Sequence, residues 1–126
     1  MSLEVEVLGD DLPAEQVRRA AILAAATAGV EDGHVAVTFI TPEEIAALNE
    51  RHRGKAGPTD VLSFPVDGDG PVPGDRELGD VVICPEHTED LAEAVVHGVL
   101  HLVGMDHETD EGEMLALQAE VVSWIR

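Results

Sequence analysis

Tyrosine is absent from this 126-residue chain, and the other large aromatics number two phenylalanines and one tryptophan. A core without aromatic bulk must be built from Val, Leu, Ile and Ala, and a chain this long has enough of them for one two-layer domain over residues 1–126. The single cysteine, Cys84, excludes an internal disulfide and suits a reducing compartment, so a cytoplasmic location is expected. No apolar run reaches membrane length. The opening MSLEVEVLGDD has acidic residues where a secretory signal needs basic ones, so no membrane role is expected. Positive charge is the scarcest resource. Seven Lys and Arg stand against 26 Asp and Glu, a formal net charge of −19 that opposes generic attraction to nucleic acid or anionic lipid. Three of those seven, Arg51, Arg53 and Lys55, fall together in RHRGK, the one segment suited to holding a phosphate, though charge alone suits a solvated helix end equally well.

The remaining patterns predict alternating elements. LEVEVL (3–8) alternates as a strand does, and Pro13 opens an Ala-rich helical stretch stopped at Gly29. HVAVTFI (34–40) is a β-branched strand. Thr41, Pro42 and Glu44 form a capping box for a helix ending near Gly54, with Ile45, Leu48 and His52 on one side. TDVLSFPV (59–66) and LGDVVIC (78–84) are two further strands around a Gly/Pro/Asp-rich loop. Thr88 is placed to cap the next helix and Gly104 to end it. In the last helix, Asp110 and Glu113 have capping-box spacing, followed by an apolar stripe of Met114, Leu117, Val121 and Trp124. The order β-α-β-α-β-β-α-α predicts an α/β (α+β) domain with a mixed four-stranded sheet packed by helices.

HGVLHLVGMDH (97–107) carries the chemistry. Residues four apart on a helix share a face, so His97 and His101 can offer two nitrogens to one ion. Gly104 allows a left-handed turn that brings in His107 as a third ligand. Three neutral imidazoles and a solvent molecule make an open tetrahedral zinc site of the catalytic type. A lone histidine in an apolar helix is usually a hydrogen-bonded core residue, but two on one face and a third past a glycine favour metal. H-x-x-x-H-x-x-G-x-x-H is the metzincin peptidase spacing in all but one position. Where those enzymes have a glutamate as general base, this chain has Gly98, so the peptidase reading lacks its central group. Phosphodiester hydrolysis needs instead a cation for the developing charge, and Arg53 is the candidate, beside Arg51 and Lys55.

These segments resemble the YbeY family of bacterial endoribonucleases. The histidine run is similar to that family's signature. LNERHRGKAGPTDVLSFP (48–65) is similar to its Arg-Gly-Lys and Pro-Thr-Asp-Val-Leu-Ser-Phe-Pro block, and LGDVVIC to its Gly-Asp strand. The resemblance implies a zinc-dependent endonuclease of single-stranded RNA, active in 16S ribosomal RNA 3′-end maturation and ribosome quality control, with a zincin-like metal helix. It implies one Zn²⁺ held by His97, His101 and His107, an essential Arg53, and Arg51 and Lys55 as substrate contacts. Pro58, Thr59 and Asp60 are expected to shape the site. Asp60, Asp80, Asp106 and Glu108 are rival acceptors that would orient a ligand histidine, each also suited to a capping role.

Three features depart from the pattern. His52 replaces a frequent tyrosine, the helix before His97 is short, and the charge of −19 is unlike that of an autonomous RNA binder. The charge implies pre-rRNA presented on the small ribosomal subunit with help from its associated proteins. A non-catalytic, metal-stabilised assembly factor is the main alternative, and a metallopeptidase a weaker one.

Overall fold

The computed structural model describes residues 3–54, 57, 59–66, 76–105 and 111–125, the side chain of Arg53 excepted. Nine elements run in the order β1 (Leu3–Leu8), α1 (Ala14–Thr27), β2 (Gly33–Phe39), α2 (Pro42–Arg53), β3 (Val61–Pro65), β4 (Glu77–Ile83), a 3₁₀ turn (Pro85–His87), α3 (Leu91–Leu102) and α4 (Glu113–Ile125). The expected α/β architecture is present, with a four-stranded sheet in the order β1-β2-β4-β3. β1, β2 and β4 are parallel, and β3 runs antiparallel on the edge beside β4. The Gly/Pro/Asp-rich loop expected between β3 and β4 lies almost wholly outside the described residues, as does Asp110.

Alternation along the strands sends two sets of side chains to opposite faces of the sheet. Val35, Val37, Val81 and Ile83 pack under α1, α3 and α4 in the main core, joined by Val17, Val95, Val99, Leu100, Met114 and Val121. Leu62, Val82 and Cys84 point the other way and meet Ile45 of α2, with Leu48 and Phe64 at the margin. Cys84 is fully buried there. Edge strand β3 is thus flanked on one face by the histidine helix and on the other by the helix ending in Arg51 and Arg53. That juxtaposition places the site.

Local chemistry explains the ends of these helices. The Thr41 hydroxyl accepts from Glu44 N at 3.2 Å and the Glu44 carboxylate accepts from Thr41 N at 3.0 Å, so the capping box forms as expected. Helix α3 departs from expectation. Asp90, not Thr88, caps it, accepting from Glu93 N at 3.1 Å. Thr88 is drawn off by the 3₁₀ turn, where its hydroxyl donates to Cys84 O at 2.7 Å. In α4, Met114, Val121 and Val122 are buried whereas Trp124 is 44% exposed. The helix is rolled so that Val122 and Ile125 take the core side in place of Trp124. The Trp124 carbonyl instead accepts from Arg19 of α1 at 3.1 Å, which ties α4 down.

Candidate metal and phosphate site

Helix α3 is apolar on nearly every side, with Val95, Val96, Val99 and Leu100 fully buried. Its two histidines are half-buried. Their ring centroids lie 4.8 Å apart at an interplanar angle of 74°. Two imidazoles on one tetrahedral zinc, each nitrogen about 2.0–2.1 Å from it, would hold their centroids about 5 Å apart. The observed separation of the two rings is of that size. His107 lies outside the described residues, and no cluster of three or more His, Cys, Asp or Glu suited to a metal occurs among the described ones.

The helix ends at Gly104 as expected. Gly104 N donates to His101 O at 3.1 Å and Met105 N to Leu100 O at 3.0 Å, the paired bonds of a Schellman motif. Gly104 takes φ +101°, a conformation that side chains resist, and so turns the chain away from the helix axis one turn after His101.

The ring of His97 is held by a residue absent from the sequence reading. Its Nδ1 lies 2.7 Å from Oε1 of Gln118, on α4. A carbonyl oxygen only accepts, so in this contact Nδ1–H is the donor. The rival acceptors fare differently. Asp60 Oδ1 accepts from its neighbours Val61 N at 2.9 Å and Thr59 Oγ1 at 3.3 Å, a capping role. Asp80 is exposed and alternates with Val81, so it lies on the sheet face away from α3. Asp106 and Glu108 fall outside the described residues.

Beside His97 opens a pocket of about 400 Å³ lined by Asp60, Glu93, Gln118 and a second imidazole, that of His87, which the sequence reading did not single out. Glu89 and Asp90 also line it, giving a negative wall that repels phosphate. The basic run begins instead on α2. Arg51 is exposed there and Arg53 is the last residue of α2, before Gly54 in a left-handed C-cap. The side chain of Arg53, with Lys55 and Pro58, lies outside the described residues. Buried Asn49, one helical turn earlier, donates from Nδ2 to Gly57 O at 3.0 Å and so tethers the segment that follows the basic run. The His52 ring sits edge-on to Phe64 of β3, centroids 4.8 Å apart, which anchors the same helix end to the edge strand.

Known proteins resemble this chain over most of its length. The family model described as endoribonuclease YbeY matches residues 8–126. An endoribonuclease YbeY of Rubrobacter xylanophilus is 46% identical over 97 residues, covering 75% of this chain and 69% of the relative. That of Bifidobacterium animalis is 42% identical, covering 68% of this chain and 58% of the relative. That of Nocardia farcinica is 36% identical over 97% of this chain and 79% of the relative. The solution structure of TM1509 from Thermotoga maritima superposes with a TM-score of 0.59 at 26% identity, covering 96% of this chain and 88% of that one.

Proposed function

Because the chain belongs to the endoribonuclease YbeY family, we propose that it is a zinc-dependent endonuclease of single-stranded RNA. Its proposed task is maturation of the 16S ribosomal RNA 3′ end and ribosome quality control in the cytoplasm. One observation supports this reading above the others: two half-buried imidazoles, 4.8 Å apart on a helix whose other residues are buried except Leu91 and Glu93, at a spacing suited to one ion.

His97, His101 and His107 are the residues that would hold a single Zn²⁺. Bound there, the ion would supply a Lewis acid and a water of lowered pKa. The protein's own groups do the rest. Arg53 neutralises charge developing on the phosphorane, and Arg51 and Lys55 hold flanking phosphates. Gly98 puts no carboxylate beside the first ligand, which argues against peptide hydrolysis. The zincin-like character rests on the helical histidine pair alone.

The acidic pocket wall and net charge of −19 favour RNA presented on the small ribosomal subunit over capture of free RNA. The same charge is what supports the second reading, a metal-stabilised assembly factor that does not cleave.

Elemental analysis paired with cleavage of a single-stranded RNA oligonucleotide, with and without chelator, tests the proposal. His101→Ala should lose both the metal and the cleavage. Arg53→Ala should keep the metal and lose cleavage by about 100-fold or more, as for other electrostatic groups of this kind. Cleavage by Arg53→Ala at the wild-type rate would remove its role, and restoration of ribosome maturation by a metal-loaded, cleavage-dead Arg53→Ala protein would favour the assembly factor.

A further inference from the structure

We propose that Gln118 is a positioning residue for the metal centre, holding the His97 imidazole in one orientation and one tautomer from a neighbouring helix. The inference rests on the metal reading above and concerns a residue on a different helix from His97, 21 positions away in sequence, so it is carried by the fold. Gln118 lies between buried Met114 and buried Val122, four residues to either side, on the face that α4 packs against α3. It is a half-buried polar group at a position where that face is otherwise apolar. A glutamine there loses solvation that an apolar residue would not, and the loss is offset by the 2.7 Å bond to His97 Nδ1.

The bond selects among ring states. With its proton committed to Gln118 Oε1, Nδ1 cannot be a ligand, and Nε2 is the nitrogen presented for coordination. The ring is also fixed about its terminal torsion, which is otherwise broad. Its edge-on placement against His101 is thereby kept in register with a shared ion. Arg19, bonded to the Trp124 carbonyl, holds α4 in place from the far side, so the acceptor is delivered by a fixed element.

Zinc affinity, measured by competition with a chromogenic chelator, tests the assignment with a readout independent of turnover. Gln118→Leu keeps the bulk and removes the acceptor. It should bind Zn²⁺ roughly 10–100-fold more weakly, with the unfolding midpoint of the metal-free protein little changed. Gln118→Glu keeps an acceptor at the same reach and should restore affinity to within a few-fold of wild type. Imidazole nitrogen NMR of the metal-free wild type, in buffer alkaline enough for neutral rings, should show His97 protonated at Nδ1. Equal zinc affinity for wild type and Gln118→Leu overturns the assignment and leaves the metal reading standing. Wild-type protein that takes up no zinc overturns the metal reading itself. Should Gln118→Leu fail to fold, the wild-type spectrum decides, because a His97 ring protonated at Nε2 overturns the assignment without any variant.

Discussion

Gly98 of α3 lies directly over Val81 of β4, so close that a Cβ built on the glycine would overlap the valine methyls, with Cγ2 at 3.0 Å and Cγ1 nearer still. The missing glutamate of the peptidase pattern thus has a packing cause. In this fold the position after the first ligand faces the sheet, where a carboxylate would be buried without a partner. Ser63 Oγ donates to the Gly98 carbonyl at 3.0 Å, which fastens the same turn of helix to the edge strand.

A methyl group at position 98 should therefore destabilise. Alanine gains about 1 kcal/mol of helix propensity over glycine, but Val81 is fully buried and stiff at χ1. Overpacking of this kind costs about 1–3 kcal/mol. We expect Gly98→Ala to lower stability by about 1 kcal/mol net in urea unfolding, and Gly98→Glu to abolish cooperative folding. A stable Gly98→Glu protein with peptidase activity would show that the helix can roll away from the sheet.

The Ser63 bond gives a milder effect. Ser63→Ala should cost about 1 kcal/mol, the usual net value of such a hydrogen bond. It should leave the α2 side of the site untouched, so RNA affinity remains at the wild-type level in a binding titration.

Asn49 couples stability to substrate. It is 4% exposed, its Nδ2 holds Gly57 O, and its Oδ1 has no hydrogen-bond partner among the described residues. Asn49→Ala should cost about 1 kcal/mol, the usual net value of the lost bond to Gly57 O, because exposed Gly57 can turn its carbonyl to water. It should also raise KM for an RNA oligonucleotide more than it lowers kcat, because the tethered segment follows Arg53 and Lys55. An unchanged KM would make Asn49 purely structural.

The elements legible in the sequence are those decided by residues within one turn of each other. The Thr41–Glu44 box and the Gly104 stop depend on contacts spanning three to five positions, and both formed as expected. The His97–His101 pairing is likewise local, a consequence of helical pitch. What failed was decided by competition between local partners or by contacts at longer range. Thr88 and Asp90 are both good caps, and a 3₁₀ turn starting at Pro85 settled the choice. Trp124 and Val122 are both compatible with the apolar period of α4, and the seat of that helix on α3 and α1 chose Val122. Gln118 was invisible for the same reason: a polar residue on an apolar stripe signals a partner but does not name one, and the partner stands 21 positions away. The placement of β4 between β2 and β3 is longer-range still.

The last prediction concerns a group far from the candidate site. His34 on β2 bridges two carboxylates: Nδ1 lies 2.8 Å from Glu77 Oε1 on β4, and Nε2 lies 3.2 Å from Glu6 Oε1 on β1. Glu4 stands beside it in the β1–β2 register. The hydrogen bond to Glu77 raises the His34 pKa above its ordinary 6.5, with smaller help from the Glu77 charge and from Glu6, against a lowering by partial burial. The folded state therefore binds this proton more tightly than the unfolded chain, and the stabilisation runs in one direction. It is fully present below pH 6.5 while the glutamates remain ionised, and it is lost as pH rises through the higher folded value. With a side chain still 32% exposed, the effect is screened and modest. Urea midpoints of wild type and His34→Gln, compared across pH, should show a wild-type advantage that is greatest in mild acid. That advantage should shrink toward alkaline pH. A difference between the two proteins that widened as pH rose would mean that His34 is held neutral, and that the bridge acts as a pair of neutral hydrogen bonds.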